Sequence, residues 1–508
     1  RNFYVERVNG KDSMMTNQHP ALQKQTGYHK YDLIQKLMFQ TGSVRQLINL
    51  QYSQTGDVFR YDRLTETNSS GKPKSAEWYY GPARRLLAAW TAFLGPHRWF
   101  KEGNITASFQ GIEESRHNRN FNSAKRNHRT ERVRVYAINA DFRQPLKKGM
   151  LSYGAEGVYN QVKSSAYYEQ IETGNNGPLD TRYPDGGSHT FSAALYGNHR
   201  HDWNPWLSTT TGMRFSYQQL YSRFNDKSFF PFPYDAIRQQ ATNLSGSIGI
   251  IVKPSARVKM AGLLSTGFRM PNVDDMTKVF ESGNGVLIVP NPDIRPEHTV
   301  NAEWTLEAQW PGKVKWSFTA WYTWYNQVLS TAPGRFHDSD AVIYNGSLSK
   351  VVTVVNKNKA KLYGVSTQLQ MPVSKFITLS ATMHYTRGRI QENDKESPLD
   401  HIAPLFGQVA VAFEKARWKA ELNGQFNGKK DSSDYKLLAE DNELYSADPV
   451  RGYTPSWMTA NLRMGYQFNE RFAAQLSCEN ILDRYYRVFA SGVSAPGRNW
   501  IFTLRYKW

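Results

Sequence analysis

Val300-Asn301-Ala302-Glu303-Trp304-Thr305-Leu306-Glu307-Ala308-Gln309-Trp310 decides how this chain is read. Ala302, Trp304, Leu306, Ala308 and Trp310 fall on one side of an extended backbone. Asn301, Glu303, Thr305, Glu307 and Gln309 fall on the other, because successive side chains of a strand point to opposite faces. The next stretch repeats the pattern, with Val314, Trp316, Phe318, Ala320, Tyr322 and Trp324 against Lys315, Ser317, Thr319 and Thr323, and Trp321 as an inward exception. Further on, Ile377, Leu379, Ala381, Met383 and Tyr385 oppose Thr378, Ser380, Thr382 and His384. Alternation held over about ten residues marks a strand with one apolar and one polar face, the length that a tilted strand needs to cross a bilayer.

The connections alternate in length as well. Short turns are expected near 41–43, 95–97, 146–149, 204–206, 254–256, 311–313, 373–375, 415–417 and 468–470. Between them stand long polar stretches at 57–78, 115–129, 170–188, 225–239, 271–296, 330–360, 389–401, 428–455 and 482–498. Tight turns on one side and long loops on the other characterise an outer-membrane barrel, and no per-blade repeat supports a propeller. The expected fold is therefore all-β, a transmembrane antiparallel barrel.

Composition agrees. Aromatics make up 14 % of the 508 residues, yet mean hydropathy is −0.63. There is no run of about 18 apolar residues that a helical span would need. A strand in lipid needs only every second side chain to be apolar, and Trp and Tyr gather where the barrel meets the head groups. The formal charge of +19 is scattered, without a basic stripe or nucleic-acid motif, and reads as cations in a wet lumen and near lipopolysaccharide phosphates. One cysteine, Cys478, leaves no disulfide framework within the chain.

About nineteen strands are visible. The last follows a long loop, so the C-terminus lies on the periplasmic side, and residues 1–29 belong to an outer loop. Single-chain bacterial barrels have even strand numbers. Three further strands ahead of this chain would give 22, the plugged-lumen class. Arg1–Glu6 carry no features of a signal peptide, and the expectation is that residues 1–508 are one barrel domain starting partway through a longer protein.

Several segments carry a family resemblance. They are Gln25–Asp32 (QTGYHKYD), Arg60–Glu66 (RYDRLTE) and Ala76–Pro82 (AEWYYGP), then Phe268, Arg269 and Pro271, then Asn291 and Pro292. The C-terminal part adds Asn480, Asp483, Tyr486, Gly497 and Arg498. In order and spacing these resemble TonB-dependent outer-membrane receptors, especially those of Bacteroidota, over essentially the whole chain. The resemblance implies a TonB box and plug domain, neither seen in this sequence, and energy coupling through TonB–ExbB–ExbD by that N-terminal region. It implies that Trp500, Phe502, Leu504, Tyr506 and Trp508 form the C-terminal signal read by the barrel assembly machinery. A surface lipoprotein is a further partner to test for.

Candidate ligand contacts come from the loops. Phe59, Arg60, Tyr61 and Arg63 cluster, as do Trp78, Tyr79 and Tyr80, and Phe229, Phe230, Phe232 and Tyr234. Rigid aromatics with arginine suit flat or anionic ligands; the alternative is loops stacking on one another or an upper aromatic girdle. Arg269, His298 and His337 are added because haem receptors of the family carry a comparable motif pair with a histidine between. Residues 272–290 contain no histidine here, and loop geometry with strand-end pairing is the favoured reading of the motif over direct ligand contact. His199 and His201 straddle a short turn without a third ligand, so no metal site is expected, and no cofactor. No Ser/His/Asp arrangement, Walker loop or dinucleotide fingerprint is present, so no catalysis is expected. The reading is a transporter for a scarce nutrient, an iron chelate, haem or a cobalamin-like compound. A passive porin and a barrel component of an envelope or adhesin complex stay open beside it.

Overall fold

The computed structural model describes residues 2–507 apart from 69, 230, 231, 233, 282–284, 345, 346, 393, 394, 400, 436–453 and 492. Nineteen long strands form its wall: β1 (Lys30–Thr41), β2 (Val44–Thr55), β3 (Arg84–Leu94), β4 (Glu102–Asn120), β5 (Lys125–Leu146), β6 (Gly149–Gln170), β7 (Ser188–Asn204), β8 (Leu207–Arg223), β9 (Ala236–Ser255) and β10 (Val258–Arg269) make up the first ten. The rest are β11 (Glu297–Trp310), β12 (Val314–Pro333), β13 (Ser347–Pro372), β14 (Ile377–Glu392), β15 (Phe406–Lys415), β16 (Trp418–Asn427), β17 (Trp457–Gln467), β18 (Phe472–Glu479) and β19 (Asn499–Tyr506). Each pairs antiparallel with the next, curling into a barrel. The expected all-β barrel and its strand number are both borne out. β1 pairs residue by residue with β2, and β19 with β18. Both end strands are exposed along their length on both faces, so the seam lies between them.

All nine short turns fall where alternation placed them. One expected loop does not exist as such, and another is much shorter than expected. Residues 115–129 are mostly ladder, since β4 runs to Asn120 and β5 begins at Lys125. Within 330–360, β12 continues to Pro333 and β13 begins at Ser347. The reason is physical: above the lipid band both strand faces meet water, so the polar run that looked like a loop is a strand without an apolar side.

Facing follows the pleat. Leu195, Phe215 and Leu244 are register partners across β7, β8 and β9, and each is more than half exposed, as a lipid-facing row should be. Trp99, Trp203, Trp206, Trp310 and Trp418 are exposed beside the short turns, where a lower aromatic girdle belongs. Trp321 is accommodated over Gly364, its register partner, where a Cβ would come within 2.7 Å of the indole.

The largest apolar core lies at the outer rim. Leu220, Phe224, Phe232, Ile237, Met276, Leu287, Val289 and Val351 pack together, with Tyr183, Tyr234, Phe336 and Tyr344 against them. Four loops, 171–187, 224–235, 270–296 and 334–346, thus share one interior. A short strand in the third, Val286–Val289, runs parallel to the start of β13. The first residues form a separate hairpin, Phe3–Val8 with Lys11–Thr16, docked on the outer ends of β4 and β5 through Asp12. This is the extracellular position expected for residues 1–29.

Candidate binding site at the outer mouth

The loop between β2 and β3 is anchored by a single helical turn, α1 (Tyr61–Leu64), whose Tyr61 and Leu64 are buried. Just before it, Arg60 is aimed at a short strand, Ser75–Tyr80, that extends the sheet by pairing with the top of β4. Its Nε and Nη2 donate to the two Asp62 carboxylate oxygens at 2.8 and 2.6 Å, and Nη1 donates to Tyr80 Oη at 2.5 Å. The guanidinium lies 5.0 Å from the Trp78 ring and 5.3 Å from that of Tyr80. Arg116 of β4 covers Tyr80 from another side, also at 5.3 Å. Two rigid aromatic faces are therefore bracketed by two guanidinium groups. Burial alone would push the Asp62 carboxyl up, but its bonds to Arg60 outweigh burial and hold it below the usual range. The same pair keeps Arg60 firmly charged.

Trp78 and Tyr80 share the face of Asn118 and Arg116, the parity opposite to outward Phe109 and Tyr136. They belong to the inner side of the wall. That wall continues with Arg129 of β5, whose Nη2 meets both Asp180 oxygens at 2.8 and 2.9 Å while Nε donates to the Asp180 carbonyl. Tyr344 Oη donates to the same carboxylate at 2.9 Å. Beside it, Asp274 accepts from Tyr183 Oη at 2.6 Å and from Lys278 Nζ at 3.0 Å. Asp180, Asp274 and Tyr344 thus tie three loops of the apolar cap to the barrel rim.

Of the expected contacts, Arg60, Trp78 and Tyr80 come together. Phe59 and Tyr79 pack on each other at 5.7 Å on the opposite side of the short sheet, with Tyr79 on His117. Tyr61 turns into the loop interior, and Arg63 pairs with Glu66 at 3.0 Å. Arg269 is held between Glu297 at 2.8 Å and Asp275 at 2.9 and 2.7 Å. His298 packs against Phe268 at 5.2 Å, on the same outward parity as Trp304. His337 sits at a left-handed turn against Phe336. Arg116, Arg129, Asp180, Tyr183 and Asp274 were not singled out from sequence; they lie in polar runs that carry no local signal.

The positions that carry the family resemblance make architectural contacts. Asn291 Nδ2 donates to the Val354 carbonyl, with Pro292 following and buried Pro271 closing the previous strand. Asn480 Nδ2 donates to the Arg484 and Pro496 carbonyls, and its Oδ1 accepts from Arg484 N. Asp483 accepts from the Arg498 backbone N–H, and a Cβ at Gly497 would stand 2.7 Å from that carboxylate. Arg498 Nε donates to the Ile481 carbonyl, and Tyr486 lies on Trp457 at 4.5 Å. On the last strand, Trp500, Phe502, Leu504 and Tyr506 are all exposed; Trp508, like Phe230, lies outside the described residues.

Residues 26–481 match the family described as TonB dependent receptor-like, beta-barrel. No curated protein sequence matches the chain significantly. Among solved structures, a double mutant of the Serratia marcescens hemophore receptor HasR, in complex with its hemophore HasA and heme, is similar with a TM-score of 0.69 at 14 % identity, over 94 % of this chain and 71 % of that one. The copper transporter OprC is similar with a TM-score of 0.73 at 10 % identity, over 94 % and 72 %. The siderophore receptor PirA from Acinetobacter baumannii gives 0.67 at 15 % identity, over 97 % and 74 %. At such identities these structures speak for the fold, and the family match covers most of the sequence. The chain belongs to the TonB-dependent receptor β-barrel family, and is a transporter of the bacterial outer membrane rather than an enzyme.

Proposed function

We propose that this barrel captures an iron chelate or haem at its outer mouth and imports it with energy supplied through TonB, residues 1–508 contributing the barrel wall. The observation that carries the reading is the Arg60–Trp78–Tyr80–Arg116 arrangement on the inner side of the rim. Flat faces beside guanidinium groups, that of Arg60 paired with Asp62 and that of Arg116 over Tyr80, suit a planar, delocalised ligand better than a small neutral solute. Similar structures include a hemophore receptor in complex with its hemophore and heme and a ferric citrate transporter, which makes iron the first cargo to test. The apolar core shared by four rim loops holds them in one arrangement, as recognition of a particular cargo requires.

Growth of the producing strain under iron limitation tests this. Deletion should abolish growth on one iron source, haem or a ferric chelate, and the wild-type chain should restore it while Trp78→Ala with Tyr80→Ala should not. Unchanged growth on every iron source, together with steady ion conductance of the purified barrel in a planar bilayer, would replace the reading by the porin one.

A further inference from the structure

The strands that build the mouth carry a second arrangement on their other face. His117 of β4 and His128 of β5 are register partners three residues from their strand tips, on the outward parity of Phe109 and Tyr136. Their Nδ1 atoms stand 2.6 Å apart. The Nε2 of His128 faces Glu169 Oε2 of β6 at 3.3 Å. Tyr79 and Tyr167 close the pair from either side, each stacked at 4.7 Å with interplanar angles of 28° and 16°.

A neutral imidazole carries one proton. When Glu169 takes the proton of His128 at Nε2, the Nδ1 of that ring presents a lone pair to His117. The Nδ1 of His117 meets it either with its own proton or, when a cation lies between them, with a second lone pair. An outer carboxylate is also what fixes the tautomer of metal-binding histidines.

An ion cluster stands beside the pair. Asp12, Glu77, Glu169 and Glu172 are linked in one ion cluster with Arg7, Arg119 and Arg126. Four carboxylates against three guanidinium groups leave one negative charge beside the pair.

We propose that His117 and His128 form a two-imidazole site for a divalent late transition-metal ion, copper(II) first. With metal–nitrogen bonds of about 2.0–2.1 Å, two ligands at a right angle stand about 2.9 Å apart, so the rings need to part by only a few tenths of an ångström. Tetrahedral zinc would require about 3.3 Å. Square-planar or tetragonal coordination is copper's preference, and copper heads the affinity series. Water completes the shell, since no group of three or more His, Cys, Asp or Glu able to hold a metal occurs among the described residues.

The test uses the full chain in detergent without a polyhistidine tag, titrated with copper(II) sulfate by calorimetry and electron paramagnetic resonance. One ion per chain is expected, with a tetragonal signal split by two nitrogens. His117→Ala and His128→Ala should each weaken binding at least tenfold. The glutamine variants serve the same comparison if an alanine variant does not assemble, and heat-dependent gel migration reports assembly. The double variant His199→Ala with His201→Ala, near a periplasmic turn, should bind copper like the parent. If the parent takes up no stoichiometric copper, the pair merely shares a proton and the proposal fails. It fails equally if the His117 and His128 variants bind as well as the parent, or if binding follows His199 and His201.

Discussion

Arg119 grips Asp12 with both ends of its guanidinium: Nη1 donates to Oδ2 at 2.7 Å and Nη2 to Oδ1 at 2.9 Å, with both side chains almost fully shielded. The two residues are 107 positions apart, and this contact fastens the N-terminal hairpin to the outer wall. Asp12 also accepts from the Asn122 backbone N–H at 2.6 Å.

Asp12→Ala should release that hairpin while leaving the barrel assembled. Removing one partner of a shielded pair costs about 3–5 kcal/mol; the lower end is expected, because Arg119 keeps Glu77 at 2.8 Å. Limited trypsin digestion should cut at Arg7 and Lys11 in the variant at least tenfold faster than in the parent. A double-mutant cycle with Arg119→Ala should show coupling, and strictly additive effects would contradict the contact.

The loop holding Arg60 should be indifferent to pH across the neutral range. Asp62 has a folded-state pKa below its unfolded value of about 3.9, so its contribution is present above that value and lost as pH falls through the lower, folded one. Amide exchange in residues 57–66, corrected for intrinsic rates, should stay constant above about pH 5 and rise only below about pH 4. In Arg60→Gln, burial loses its strongest counterweight and the carboxyl moves up towards its unfolded value, so the loop should be looser at neutral pH and the acid-induced rise in exchange should shrink or vanish. An acid-induced rise as large as in the parent would refute the assignment.

At the mouth, Trp78→Ala and Arg116→Gln should each reduce cargo affinity about tenfold or more, as expected for aromatic and arginine anchors, with unchanged surface expression. Tyr79→Ala, on the opposite side of the same short strand, should bind cargo like the parent. Equilibrium binding of the identified chelate to intact cells checks both.

Facing can be tested by charge. Met213→Arg, on the exposed outward row of β8, should destabilise the barrel by about 2–4 kcal/mol if it lies near the midplane. Asn243→Arg, the register partner of inward Ser216, should cost far less. Urea unfolding in lipid vesicles measures both, and equal costs would mean that the pleat has been read the wrong way round.

How much of this was legible in the sequence depends on where lipid lies. Around Trp304 and Phe318, hydrocarbon touches one face only, and the two-residue period reports the strand, its facing and its turns. At Arg116 and Arg129 both faces meet water, the period fades, and strand resembles loop. Arg60, Trp78 and Tyr80 were legible as a composition cluster, and Phe59 and Tyr79 were included with them because alternation between two faces is invisible in a short aromatic run. The link of Arg129 to Asp180, 51 residues away, leaves no local mark at all. Asn480, Asp483 and Gly497 were recognisable as a motif, but only the hydrogen bonds show that they close a loop.

The rim loops that meet around Met276 and Leu287 are not independent appendages. A substitution that swells one of them presses on the other three, so exchanging a single loop with that of a relative should leave a cavity or a clash rather than a new specificity. A change of cargo would have to be inherited across all four at once, as a cassette, and engineering this receptor means transplanting the whole crown.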